Sequence, residues 1–415
     1  MNILYINHYA GSPEMGMEFR PYYLSREWVK MGHKVTMIAG DYSHLRKKNP
    51  VVTEDFGHEK LDGIEYVWVK TGMYQGNGIK RAITMGVFVH KLFTNANFIA
   101  NRWKPDIVIS SSTYPLDTYP AQKIAKIASA LYVHEVHDMW PATLYEVGGM
   151  PKWHPFVLLM QIAESSAYRH CDKCVSLLPY AKEYMVKHGL KEDKFVNIQN
   201  GVVKEEWETI EKIPEQHRLF FESYKDRFIV GYFGGHAISN ALDNILNVAK
   251  FFLSHEPNSK VIFVLVGEGV EKQKLVHRAK EENIKNVFFL SSVEKKTIPN
   301  LLTYFDCSYM TGIDSPLYRF GLCLNKMYDS MMAGIPIICA FNAPTTLIKE
   351  FECGSQCNPN DIQYVVESIR KIELMTNEER RLMGLKGRRA ILQYFTYDRL
   401  AKTFIDKVLN LGVEK

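Results

Sequence analysis

The amino-acid sequence predicts an α/β protein built from two doubly wound domains. Three observations carry this. Apolar runs of five to eight residues recur along the chain, stretches of helical period separate them, and the alternation stops at Asn200-Gly201 before beginning again. Strands buried on both faces read as unbroken apolar runs, and helical crossovers between them imply a parallel sheet covered on both sides. A chain of 415 residues also exceeds the roughly 250–300 residues that one core supports.

NILYIN (2–7) opens the first domain as a buried strand, and residues 17–31 have helical period, ended by Gly32 before the strand KVTMIAG. Further strands are EYVWVK (65–70), DIVIS (106–110), LYVHEV (131–136), KCVSLL (173–178) and FVNIQ (195–199). Residues 200–227 are mostly polar and read as a connection. FIVGYFGG (228–235) then starts the second series, followed by KVIFVLVG (260–267), NVFFLS (286–291), CSYMT (307–311) and IPIICA (335–340). A last helix near 396–412 comes after the second sheet is complete. The expected organisation is 1–200, 201–395 and a terminal segment, 396–415. Two such domains are expected to face each other across a cleft, with ligands at the carboxyl ends of the strands.

Composition narrows the function. A net charge of +5 falls short of the clustered basic footprint of a nucleic-acid binder, and fits an anionic small molecule or an acidic membrane surface. Seven cysteines, several inside apolar strands, read as reduced core residues. The chain starts at once on a strand, without a basic leader, and no run reaches the roughly 18 apolar residues of a spanning helix. A cytoplasmic protein is expected, peripheral on the cytoplasmic face of a membrane at most.

The densest stretch is DSPLYRFGLCLNKMYDSMMAGIPII (314–338). Asn325 to Met332 forms about two helical turns, ended by Gly334 and Pro336, so Phe320-Gly321-Leu322 leads into a helix N-terminus. Lys326 in the first turn and Asp329 three residues on share one face, about 5 Å apart along the axis. That pair suits a nucleoside diphosphate, the lysine for phosphate and the carboxylate for ribose. Spacing alone favours the plainer reading, an exposed ion pair worth a few tenths of a kcal/mol. FGGHAISNALD (233–243) is a strand, a diglycine turn and a helix start. Gly234, Gly235 and His236 are placed for a pyrophosphate, with Ser239 as the expected helix cap. VGEGVEKQKL (266–275) repeats the design, with Lys272 as the expected phosphate partner.

In the first domain, HEVHDMWP (134–141) ends a strand. Alternation puts Glu135 and His137 on one face, and His137 and Asp138 emerge where they can orient an acceptor hydroxyl or stabilise positive charge. A satisfied polar turn is the competing reading. Gly16 and Arg20 belong to a loop and helix expected beside the cleft. The segment 78–104 is basic, apolar and aromatic, so it is either a membrane-surface helix or an ordinary half-buried one.

FGLCLNKMYDSMMAGIPII resembles the donor-binding signature of glycosyltransferase family 4, and in particular that of bacterial O-antigen and capsule transferases of the N-acetylfucosamine transferase-like kind. The opening NHYAGSPEMGMEFRPYYLSREWVKMGHKVTMIAGDYSH is similar to theirs, and HEVHDMWP matches E-x-R-D-x-W-P except that His137 replaces arginine. The resemblance implies a GT-B fold of two Rossmann-like domains, the first taking the acceptor and the second a UDP-sugar, with the last helix crossing back to the first. It implies a retaining transferase moving a sugar to a lipid-linked or saccharide acceptor. Asp329 matches the second acid of the family's E-x7-E pair; Gly321 stands where the first would be, with Asp314 as a surrogate. No D-x-D is present, so metal-independent transfer without a cofactor is expected. Two alternatives stay open: a GT-B sugar-nucleotide 2-epimerase, and a non-catalytic nucleotide-sugar-binding partner in an assembly complex.

Overall fold

A computed structural model of the chain describes residues 1–16, 19–76 and 78–410. The start of the expected 17–31 helix and residues 411–412 of the expected last helix lie outside the described residues. The chain divides into two compact units, Met1–Gln199 with Tyr397–Lys415, and Asn200–Thr396.

The first unit contains an eight-stranded sheet. Its strands are β1 (Asn2–Ile6), β2 (Lys34–Gly40), β3 (Gly57–Leu61), β4 (Ile64–Val69), β5 (Ile107–Ser110), β6 (Leu131–Val136), β7 (Lys173–Ser176) and β8 (Phe195–Asn197). The order is β3-β4-β2-β1-β5-β6-β7-β8, parallel throughout except for the edge pair β3–β4. That edge hairpin is missing from the sequence reading because GHEKL is polar and mostly exposed. Its turn, Asp62-Gly63, has positive φ at both residues, the two-residue geometry that suits strand twist.

The unit's helices are α1 (Phe19–Lys30), α2 (Ile79–Thr94), α3 (Ala96–Trp103), α4 (Thr118–Ala128), α5 (Ala142–Glu146), α6 (Pro155–His170) and α7 (Lys182–Lys187). The segment 78–104 is two helices rather than one, broken at Asn95. The chain's last helix (Tyr397–Leu409) packs on α1: the Trp28 indole donates to the Ala401 carbonyl at 3.0 Å and its ring meets Phe404 at 5.1 Å.

The second unit holds a parallel six-stranded sheet of β9 (Phe228–Phe233), β10 (Val261–Val266), β11 (Val287–Leu290), β12 (Cys307–Thr311), β13 (Ile337–Ala340) and β14 (Gly354–Cys357), in the order β11-β10-β9-β12-β13-β14. Helices α8 (Glu215–Ser223), α9 (Asp243–His255), α10 (Lys272–Glu281), α11 (Ile298–Leu302), α12 (Asn325–Ala333), α13 (Leu347–Glu350), α14 (Ile362–Glu373) and α15 (Asn377–Tyr394) cover it, and the last helix is α16. Alternation along β9 explains its unbroken apolar run. Val230 and Tyr232 pack with Ile245 and Leu246 of α9, whereas Ile229 and Phe233 pack with Phe221 of α8 and Leu301 of α11. Each such side chain contributes about 1.5–3 kcal/mol on full burial. Residues 200–227 are thus partly ordered structure, because α8 supplies Phe221 to this core. Two further expectations change. Strand β14, GSQC, carries too little apolar content to be read, and Ser239 caps no helix, since it lies in a 3-10 turn and α9 begins at Asp243. All seven cysteines are thiols outside any disulfide, and six are buried.

Candidate functional site

In the second unit, β9 has β10 on one side and β12 on the other, while the chain connects β9 to β10 and only later returns to β12. This reversal opens a crevice at the carboxyl ends of the strands. Three segments meet there: Gly234–His236 after β9, Gly267–Gly269 after β10, and the start of α12 after β12.

Close backbone approach builds the two glycine loops. A Cβ on Gly267 would stand 1.9 Å from the Gly234 carbonyl oxygen, and one on Gly269 would stand 2.4 Å from that of His236. No side chain fits either position. Gly234 has φ 125°, a region that favours glycine, and Gly234 and Gly235 are exposed. The diglycine turn therefore presents bare backbone to solvent, a surface chemically able to receive an anion.

Lys326 reaches this turn from the first turn of α12. Its Nζ donates to the Tyr232 hydroxyl and to Asn240 Oδ1, each at 3.0 Å, and stands 4.5 Å from the centroid of the Tyr232 ring. All these partners are neutral, and no carboxylate among the described residues lies within ion-pairing distance. Burial lowers the lysine's pKa from 10.5 to about 8. A half-buried ammonium without a counter-ion is a strong anion attractor, because the surroundings have removed its water and supplied no charge in return.

Asp329 does not pair with Lys326, so the simple i,i+3 ion pair is excluded as the reason for this motif. The Asp329 carboxylate has no hydrogen-bond partner among the described residues. It is partly open to solvent but closely surrounded. Burial raises its pKa to about 7, with Glu206 adding to the rise and Lys295 opposing it. Such a group gains from two hydroxyl donors, as a ribose would provide.

His236 is fully buried with neither ring nitrogen hydrogen-bonded. Burial, reinforced by Lys272 and Lys326, lowers its pKa to about 4, so at neutral pH it is a neutral imidazole with an unused N–H. Phe320 and Leu322 are core residues, and Gly321 between them has φ 97°. This segment positions α12 and offers no side chain for a sugar hydroxyl, and the Asp314 carboxylate accepts from Asn342 Nδ2 at 3.4 Å.

Lys272 departs from expectation. Its three donors go to the Gly267 carbonyl at 2.9 Å, the Leu290 carbonyl at 3.0 Å and Glu268 Oε1 at 2.7 Å. It ties the β10–α10 loop to β11 rather than waiting for a phosphate. Tyr232 and Asn240 are the residues that sequence reasoning missed. Both lie inside the FGGHAISNALD neighbourhood, but nothing in their spacing shows that they meet Lys326, 94 and 86 residues away.

In the first unit, Glu135 is fully buried at the end of β6 and accepts from Arg20 Nε at 3.0 Å, Ser111 Oγ at 2.8 Å and the Tyr5 hydroxyl. Burial alone would raise its pKa; Arg20 and then His137 overcome this and hold it well below the usual carboxylate range. Arg20 also donates to the Gln199 and Ile198 carbonyls, at 2.7 and 2.9 Å. Arg20 and Glu135, expected to face an acceptor, are instead a buried structural pair anchoring α1 to the ends of β6 and β8. Their product is a positioned His137, whose Nε2 lies 3.0 Å from both Glu135 Oε2 and Ser111 Oγ. Asp138 beside it keeps an exposed face, although crowding raises its carboxyl pKa by desolvation against the pull of His137. Gly16, φ 85°, turns the loop after β1 against Lys47.

Two parallel α/β units, the second with a glycine-walled crevice and an uncompensated lysine, define the GT-B class of glycosyltransferases. Solved structures share the fold: sucrose-phosphate synthase from Thermosynechococcus elongatus (TM-score 0.72, 14% identity, 97% of each chain) and Anabaena Alr3699/HepE in complex with UDP (0.67, 14%, 98% of this chain and 99% of that one). The Escherichia coli trehalose-6-phosphate protein bound with UDP-2-fluoro glucose does so too (0.71, 9%, 98% of each). The Glycosyltransferase Family 4 profile matches residues 15–206 and the Glycosyl transferases group 1 profile residues 215–390, and the chain belongs to glycosyltransferase family 4. A relative is WcaI of Escherichia coli (strain K12), provisionally named a colanic acid biosynthesis glycosyl transferase, 21% identical over 294 residues, 68% of this chain and 69% of that one.

Proposed function

We propose that this glycosyltransferase moves a sugar, with retention, from a UDP-sugar to a lipid-linked or saccharide acceptor in bacterial surface-polysaccharide assembly, with an N-acetylated deoxyhexosamine such as N-acetylfucosamine as the donor sugar. The observation that carries the donor reading is Lys326, an ammonium held only by neutral groups beside a bare diglycine turn, with an unpartnered carboxylate one turn along the same helix. The diphosphate takes the turn and the lysine, His236 donates its free N–H to the same ligand, and Asp329 takes the ribose. HepE, of like fold, binds UDP, and the name of WcaI supports the polysaccharide setting. The leaving diphosphate is neutralised by Lys326 and backbone N–H groups, so transfer proceeds without a divalent metal; loss of turnover in EDTA counts against this. In the first unit, His137, oriented by Glu135, and Asp138 handle the acceptor hydroxyl.

A membrane-bound acceptor is supported by a second surface. Among the described residues no helix is long and apolar enough to cross a membrane. Yet α2 exposes Ile79 and Ile83 (82% and 58%), α6 exposes Ile162 at its middle (63%), and Trp153 just before that helix is exposed too (74%). Both helices pack on one cluster through Met85 and Met160. The segment 78–104 carries five basic residues and no acidic one, which complements anionic lipid.

Incubation with radiolabelled UDP-sugars and bacterial membranes tests the whole reading. Label in lipid supports it. Free sugar or epimer without acceptor points to an epimerase, and UDP-sugar binding without turnover to a non-catalytic partner; the lack of a carboxylate at Gly321 gives that last outcome its interest.

A further inference from the structure

Four hydrogen bonds close a ring around the diglycine turn. Lys326 Nζ donates to the Tyr232 hydroxyl and to Asn240 Oδ1, both at 3.0 Å. The Tyr232 hydroxyl donates to the Gly235 carbonyl at 2.7 Å, and Asn240 Nδ2 donates to that same oxygen at 2.8 Å. Each side chain thus bridges the lysine and the glycine turn, Tyr232 through its one hydroxyl and Asn240 through Oδ1 and Nδ2. The Tyr232 ring is buried in the α9 side of the core, so the hydroxyl is fixed by packing.

We propose that Tyr232 and Asn240 are positioning residues, which set the Lys326 ammonium against the Gly234–Gly235 turn so that a nucleoside diphosphate meets the cation and the bare backbone together. This rests on the reading of the second unit as the donor-binding domain. Geometry favours it over simple packing. A ring of this kind fixes two otherwise mobile parts, a long lysine and a glycine turn, before ligand arrives, and preorganisation removes an ordering cost from binding. Both clamps are neutral, so they orient the ammonium without neutralising it; a carboxylate in either place would hold it as firmly and cancel its charge. Gly234 belongs to the same design, because a Cβ there would stand 3.7 Å from both Lys326 Nζ and the Tyr232 hydroxyl, in the space a phosphate needs.

The titratable groups around Lys326 are Tyr232 on β9, His236 in the following loop and Asp329 on its own helix, with the Glu268–Lys272 pair behind His236. UDP affinity of the full-length protein, measured by calorimetry from about pH 6 to about pH 10, tests the proposal with Tyr232→Phe, Asn240→Asp and Lys326→Met. The Lys326→Met profile supplies the ligand's own titration, for subtraction. Tyr232→Phe keeps the ring but loses both hydroxyl bonds. It should weaken UDP about tenfold near pH 7 and move the lysine-dependent inflection to lower pH, since the charged form loses an acceptor. Asn240→Asp should also weaken UDP but move the inflection to higher pH, since a carboxylate favours the ammonium. Opposite movement of the inflections is what a merely structural role does not produce. If both variants lose affinity with the inflection unmoved, or bind as the wild type does while Lys326→Met does not, the positioning role is overturned and the donor reading stands. If Lys326→Met binds UDP like the wild type, the donor reading itself fails.

Discussion

Replacing Lys326 with methionine should make the unliganded protein more stable and the liganded protein less so. Burial lowers the lysine's pKa from 10.5 to about 8, so the folded state disfavours the charged form. The penalty is full below about pH 8 and fades as pH rises from there towards 10.5. Taken whole, the shift corresponds to at most about 3 kcal/mol at neutral pH. The side chain keeps some solvent access, and methionine leaves Tyr232 and Asn240 without the donor they accept from, so about 1 kcal/mol of net stabilisation is a reasonable expectation. For a unit of this size that raises Tm by about 2–4 °C. Binding moves the other way: losing a charged donor to a diphosphate costs about 1.5–3 kcal/mol, or roughly 10- to 150-fold in UDP affinity. Thermal melts with and without UDP, near pH 7 and near pH 10, read both effects. The variant's advantage should shrink at the higher pH, and its UDP-induced shift should collapse at the lower. A variant that melts below the wild type near pH 7 and responds to UDP as fully would refute the reasoning.

Asp329→Asn should remove a pH slope. With its pKa raised to about 7, the wild-type folded state loses stability as pH rises from about 4 to about 7; urea unfolding near pH 5 and pH 8 should show the slope in the wild type and not in the variant, whose UDP affinity falls severalfold. Gly267→Ala forces a Cβ to within 1.9 Å of the Gly234 carbonyl, so the two loops must part; about 1–3 kcal/mol of stability should go, with most UDP binding, by the same melts. Glu135→Gln leaves the Arg20 guanidinium buried without its charge partner and should cost about 3–5 kcal/mol by denaturant unfolding. Because the pair holds Glu135 well below the ordinary range, wild-type stability from this source should last into acid and vanish only as pH falls through that lowered value.

Much of the fold was legible because its strands are buried on both faces. β9 and β10 need apolar residues at every position, and such runs stand out in a sequence. β3 and β14 did not, since edge strands need few apolar residues; only Asp62-Gly63 marked the first of them. The layout of α12 was legible for a local reason: Lys326, Asp329 and Gly334 are separated by helical turns, and a helix converts spacing into direction. Lys272 misled because its spacing also looked right. Nothing in VGEGVEKQKL shows that the Leu290 carbonyl, on a neighbouring strand, claims one of its three donors. Arg20 and Glu135 misled in the same way, since a charged pair 115 residues apart in sequence reads as two surface residues until the sheet brings them together.

By itself, then, the sequence determined the alternation of strands and helices, the glycines at the strand ends and the charged residues on α12, all of which follow from local periodicity and backbone freedom. Tertiary structure decided which charges are spent and which are left over: Lys272, Arg20 and Glu135 are consumed by partners inside their own units, while Lys326 meets only neutral ones. That outcome depends on contacts between distant segments and on the water that packing removes, and neither is written in the spacing of residues along the chain.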